Sequence, residues 1–162
     1  MTGFVSLPPV GPSSPPALED SIALGTFWPS LSIAAARAAM RIPTDITDQR
    51  LADALKAAML EAGQDLAVWE GLQLVNGFET LAEVPDRNPD IGGEKRLAVL
   101  WRRAVHSLAM ADLSELQRAA DTTAAGGKRA EQSELTVEDH RRNARFAIRD
   151  IMGVARATVE LI

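Results

Sequence analysis

Between Thr47 and Gly77 apolar residues recur at intervals of three and four, through Leu51, Leu55, Ala58, Ala62, Leu66 and Trp69. An α-helix turns once in about 3.6 residues, so this spacing lines one face of a single long helix. No other feature restricts the fold so tightly. Thr47 is placed to cap that helix, and Asp48 puts a negative charge in the first turn, where the helix dipole favours it. Asn76-Gly77 ends it, because glycine readily adopts the left-handed backbone found just past a helix. Gly63 and Gly71 each weaken the helix by about 1 kcal/mol relative to Ala and mark a bend or a close helix crossing.

A helix with one long apolar face needs partners, and the rest of the chain supplies them. Hydrophobic residues make up 46% of the 162, largely Ala and Leu, and β-branched residues are sparse between Ser30 and Ala125. That balance favours helix over sheet. Ser32 is a plausible cap for a short alanine-rich helix over 33–40, which stops before Pro43 because the residue preceding proline disfavours α geometry. Phe27-Trp28-Pro29, just ahead of it, is expected to pack as an aromatic plug. A third helix is predicted from about Glu94 to Ala124, with Leu97, Leu100, Trp101, Ala104, Val105, Leu108, Ala111 and Leu116 on a broad apolar face. Such breadth belongs to a central helix with several neighbours. Gly126-Gly127 stops it, and a polar connector runs from Lys128 to Glu134. Thr136 and Asp139 open a fourth helix as a capping box with Asp in the usual Glu or Gln position, and Ala144, Ile148, Ile151 and Ala155 face inward.

The expected fold is therefore all-α, a bundle of about four helices over residues 27–157. An arm over 1–26 precedes it, where Pro8, Pro9, Pro12, Pro15 and Pro16 forbid helix and central strand, with Pro29 just beyond. Two readings of the arm stand side by side. It is a disordered tail, or its apolar residues Phe4, Val5, Leu7, Val10, Leu18, Ile22 and Leu24 order it against a neighbouring subunit. The chain closes on an alternating tail over 158–162, with Leu161 and Ile162 able to dock. Between the second and third helices, the loop 77–93 carries Glu79, Glu83, Asp86 and Asp90 against Arg87, and Phe78, Leu81 and Val84 are expected to tether it to the bundle. Loops of this length often make contacts.

The chemistry that the chain lacks is informative. There is no cysteine, hence no disulfide, thiolate metal site or cysteine nucleophile. Neither a Gly-x-Ser-x-Gly elbow nor a phosphate-binding Gly-Lys-Ser/Thr is present, since Gly126-Gly127-Lys128 leads into Arg129. His106 is expected in the core or at its boundary. His140 follows Asp139 directly, too far round the helix to share a metal easily, and Arg103 and Val137 stand where a di-metal bundle would need glutamates. No enzyme, metal or cofactor is predicted. No stretch reaches the roughly 18 apolar residues of a membrane span, and no basic patch precedes a hydrophobic run at the N-terminus, so a cytosolic product is expected.

The net charge of -5 argues against a stand-alone nucleic-acid binder, although DNA could pass nearby without specific contact. Charge is unevenly spread: the third and fourth helices with their flanks, 94–125 and 136–162, hold ten Lys or Arg against eight acids, and the remainder is acidic. Arg141, Arg145 and Arg149 recur every four residues on the fourth helix. They form a solvated face paired with Glu138 and Asp150, or an interface for acidic partners. The asymmetry suits packing of like subunits, acidic loop against basic helix. Phe27, Trp28, Phe78, Arg141, Arg145, Arg149, Leu161 and Ile162 are the candidate interface residues.

One set of motifs runs collinearly from Phe27 to the C-terminus. It comprises Phe27-Trp28-Pro29, Met40-Arg41, Arg50-Leu51, Leu55-Lys56 with Met59, and Gly77-Phe78-x-x-Leu81-Ala82-Glu83-Val84-Pro85. Ile91-x-Gly93-Glu94 and Arg103-Ala104-Val105 follow, then looser matches at Lys128-Arg129-Ala130, Glu138-Asp139 and Arg149. In these features the chain resembles the head completion (head stabilisation) proteins of peduovirus-type temperate phages with contractile tails. The resemblance implies a helical adaptor that binds beneath the portal protein after DNA packaging, closes the head and offers a platform to a tail terminator or neck protein. It further implies a homo-oligomeric ring matching the portal's twelvefold symmetry, assembled in the host cytoplasm and resident at the head–tail junction of the virion. The alternative reading is a nucleic-acid-binding helical module of the packaging machinery, acting through the arginine row.

Overall fold

The computed structural model describes residues 19–120 and 136–154. Two short strands, β1 (Ser21–Ile22) and β2 (Leu31–Ser32), lead into four helices, α1 (Ile33–Met40), α2 (Asp48–Val75), α3 (Arg96–Ala120) and α4 (Val137–Met152). The fold is all-α, with an extended segment before the helices.

That segment is pinned to the body by hydrogen bonds. β1 pairs antiparallel with β2, Ser21 opposite Ser32 and Ile22 opposite Leu31. The Asp20 carboxylate accepts from the Ser32 hydroxyl at 2.7 Å and from the Ala34 N–H at 2.8 Å, while Ser32 caps α1 through the Ala35 N–H. The Ala34 amide and the Ser32 hydroxyl hold the Asp20 carboxyl below the usual carboxylate range. Residues 19–26, grouped with the arm on proline content, thus fold onto α1 and α2. Leu24 lies over Gly63, where an added Cβ would come within 2.6 Å of its Cδ2. Gly63 therefore does mark a close approach, made by this extended segment and not by a crossing helix.

The α1–α2 corner is closed by Arg37. Its guanidinium donates to the carbonyls of Ile42, Pro43 and Ile46 and pairs with Asp48, the first residue of α2, at 2.7 Å. Thr47 caps α2 through the Arg50 N–H. On α2, Leu51, Leu55, Ala58, Ala62 and Leu66 are all buried and Trp69 half-buried, as the spacing predicts. After α2, Leu81 and Val84 are buried and Phe78 packs at the core's edge, so the loop is tethered at those three positions. α3 starts two residues later than expected because Ile91 and Glu94 exchange backbone hydrogen bonds across Gly92 and Gly93, whose φ values of 61° and 82° make the tight turn. The expected end of α3 at Ala124 falls outside the described residues.

α3 is central, packing against α1, α2 and α4. Trp101, Ala104, Val105 and Ala109 are completely buried on it. Leu116, expected on the same face, is instead 40% exposed, near the C-terminal end of the helix where no described neighbour covers it. The aromatic plug is present and joins three elements. Trp28 stacks on Trp101 at 4.2 Å and on Trp69 at 6.2 Å, and Phe27 meets Trp28 edge-on at 5.0 Å. Each indole N–H of the inner pair finds an acceptor, Trp28 on Glu70 at 3.0 Å and Trp101 on the Pro29 carbonyl at 3.3 Å. Among the described residues no buried side-chain polar atom lacks a partner. The capping box at Thr136 and Asp139 forms as expected, and Gly153, at φ 71°, ends α4.

Candidate interaction surfaces

The interface residues expected from the sequence part company in three dimensions. Phe27 and Trp28 are each 3% exposed. They are core residues in this fold and offer a partner no surface, because their rings fill the space beside Trp69 of α2 and Trp101 of α3. Phe78 is half-buried against the same core. Leu161 and Ile162 lie outside the described residues.

The arginine row is divided too. Arg141 bridges to Glu115 on α3 at 2.7 Å and to Glu138 at 3.5 Å, so it ties α4 to the body. Arg149 is half-buried and engaged. Arg145 is exposed and makes no ion pair among the described residues. Its neighbour Arg142 pairs only along its own helix, with Asp139 at 2.7 Å. Exposed pairs of that kind contribute under about 1 kcal/mol and open easily to another acid.

The acidic loop is a poorer partner surface than its charge suggests. Glu83 accepts from the N–H groups of Glu79 and Thr80, Asp86 takes a two-pronged grip from Arg96 at 2.7 and 3.4 Å, and Asp90 meets Lys95 at 3.5 Å. Burial raises the Asp86 carboxyl, but Arg96 and Asn88 outweigh it and hold the group below its usual range. These acids fold the loop. The carboxylates with no hydrogen bond or ion pair among the described residues include Glu61 and Asp65, both exposed on α2.

Next to those acids lies the surface that sequence reasoning missed. Leu60, Val68, Leu72 and Val75 are 64%, 80%, 57% and 85% exposed, on the side of α2 opposite its buried stripe. Their spacing of eight, four and three residues was available as a signal, since it aligns them on one side of a helix. A run of large apolar side chains in water is unusual for a lone protein and marks a place for a partner. The fold also brings together two residues that the sequence keeps apart. His106 of α3 and His140 of α4, the only histidines in the chain, line one shallow cleft with Arg102, Arg103 and Asn143. Burial lowers the basicity of both; Arg102 lowers His106 further, while Asp139 opposes the effect at His140. Among the described residues no group of three or more His, Asp or Glu side chains is placed to hold a metal. No described helix is long and apolar enough to cross a membrane.

A helical body that turns an apolar helix face outward suits a subunit of a larger assembly. Comparison with known proteins agrees. The chain belongs to the phage head completion protein (GPL) family, whose model matches residues 22–162. It is 32% identical over 148 residues to the head completion/stabilization protein of Escherichia phage P2, covering 91% of this chain and 86% of that one. No solved structure matches it. The chain is a structural head completion protein.

Proposed function

We propose that this protein forms an adaptor ring bound under the portal protein, which completes and stabilises the DNA-filled head and gives the tail its attachment platform. The observation that carries this reading is the family match over residues 22–162. The outward apolar face of α2 supports it, because such a face is costly in water unless another protein covers it. The protein then resides at the head–tail junction, with DNA passing near it and no membrane involved. Its partners are further copies of itself, in a ring of the portal's twelvefold symmetry, the portal, and a tail terminator or neck protein.

The test is to mix the full-length protein with its cognate portal. A co-migrating ring complex is expected. No association with portal, and its absence from intact virions, would sink the proposal. The alternative, a nucleic-acid-binding module, has less support because Arg141 and Arg149 are already engaged within the chain. It requires duplex binding that weakens steeply with salt and is lost on Arg145→Ala.

A further inference from the structure

We propose that copies of this chain join head to tail, the outward face of α2 on one copy packing on the arginine face of α4 on the next. This rests on the ring reading above and names the surfaces that would build the ring.

The two faces complement each other. On α2, Leu60, Val68, Leu72 and Val75 form the apolar stripe, with Gln64, Ala67 and Gly71 between them. A Cβ at Gly71 would have nothing within 4 Å, so the backbone there is open to a second helix. Glu61 and Asp65 flank the stripe, and no basic residue occurs from Ala57 to Val75. On α4, exposed Arg142 and Arg145 share a face with half-buried Phe146, and no acid occurs from His140 to Arg149. Arginine suits such a surface, since its aliphatic stem covers apolar side chains while its planar head reaches a carboxylate. The lengths agree as well. From Leu60 to Val75 the stripe runs about 22 Å, and the 16 residues of α4 run about 24 Å, at roughly 1.5 Å per residue.

Geometry decides between one copy and two. α2 and α4 both turn their inner faces to α3, so their outer faces point away from the core and cannot meet within one chain. Pairing α2 with α2 about a two-fold axis would cover the apolar stripe but give Glu61 and Asp65 no cation. Pairing α2 with α4 satisfies both. Because the joined surfaces differ, each copy keeps one of each free, and the contact propagates until a ring closes.

The chain has no cysteine, so introduced ones report unambiguously. Full-length Val68→Cys and Arg145→Cys chains, mixed and oxidised, should give a cross-linked dimer that neither gives alone, and the chain carrying both should give a ladder of multimers. Reversing charge on one side, Glu61→Arg with Asp65→Arg or Arg142→Glu with Arg145→Glu, should weaken self-association at least tenfold. Placing all four reversals in one chain should restore it. Circular dichroism on each variant monitors the fold, which these exposed positions should leave intact. A Val68–Val68 product in place of the mixed one, or no rescue by the combined reversals, would overturn the arrangement. If rings form and enter particles without the Val68–Arg145 link, this packing is wrong and the ring reading survives. If no ring forms with portal present, both fall.

Discussion

α2 and α4 pack on the same central helix yet divide their residues differently. α4 is apolar on one side only, with Ala144, Ala147, Ile148 and Ile151 buried and Arg142 and Arg145 in water. α2 is apolar on two sides, Leu51, Leu55 and Leu66 facing in and Leu60, Val68 and Val75 facing out. α4 has the pattern of a helix whose outer face can meet another molecule through charge, not through a second apolar stripe. α2 has the pattern of a helix that is a core element once and an interface element again. An apolar stripe therefore shows that a face will be covered, but not by which molecule.

Substitutions on the two sides of α2 should separate these roles most sharply. Leu66→Ala, at a fully buried position, should cost about 2–5 kcal/mol in a denaturation experiment, since it removes contacts and leaves a cavity. Arg37→Ala, which frees the start of α2 from three carbonyls and Asp48, should cost about 1.5–3 kcal/mol by the same measurement. A loss within error there would mean that α2 is positioned by its core face alone. For α4, Thr136→Ala removes the hydroxyl of the capping box and should cost about 0.5–2 kcal/mol, with fraying of the first turn visible in amide exchange.

Acid should loosen the α3–α4 contact before the rest. The folded basicities of His106 and His140 lie below the ordinary histidine value of 6.5, so on acidification the unfolded chain takes up protons that the folded chain does not. Stability is expected to be level above that value and to fall as pH drops below it, and His106→Gln should reduce the loss. Asp20, Asp86 and Asp139 have carboxyl values lowered below 3.8 in the fold, so a second decline should follow as pH falls past that value. The smallest effect on stability belongs to the outer side of α2. Val68→Ser should change unfolding free energy by no more than about 0.5 kcal/mol while reducing assembly with portal. A large loss of stability there would erase the contrast between the two sides.

The helices and their ends were readable from the chain because capping acts over three or four residues. Ser32, Thr47 and Thr136 each find their amide hydrogen within that distance. Gly77 likewise stops a helix through its own backbone freedom, at φ 90°, whereas the end of α4 at Gly153, φ 71°, was not read from the sequence, which carried that helix on to Ala155. Nothing local marked Gly92-Gly93 as a bridge that delays α3, since its partners Ile91 and Glu94 also suited a loop and a helix start.

The surfaces were less legible. Phe27 and Trp28 read both as an aromatic plug and as interface residues, and the positions of Trp69 and Trp101, far along the chain, decide for the plug. The loop acids read as a charged patch until Arg96 and Lys95 came within reach. His106 and His140 share a cleft only because α3 and α4 lie side by side. By itself the sequence determined an all-helical chain, its four helices and their caps, since these depend on hydrogen bonds and dihedral preferences between near neighbours. The tertiary structure alone decided which apolar face lies inside and which charges remain unpaired, because burial depends on what the rest of the chain can bring to each surface.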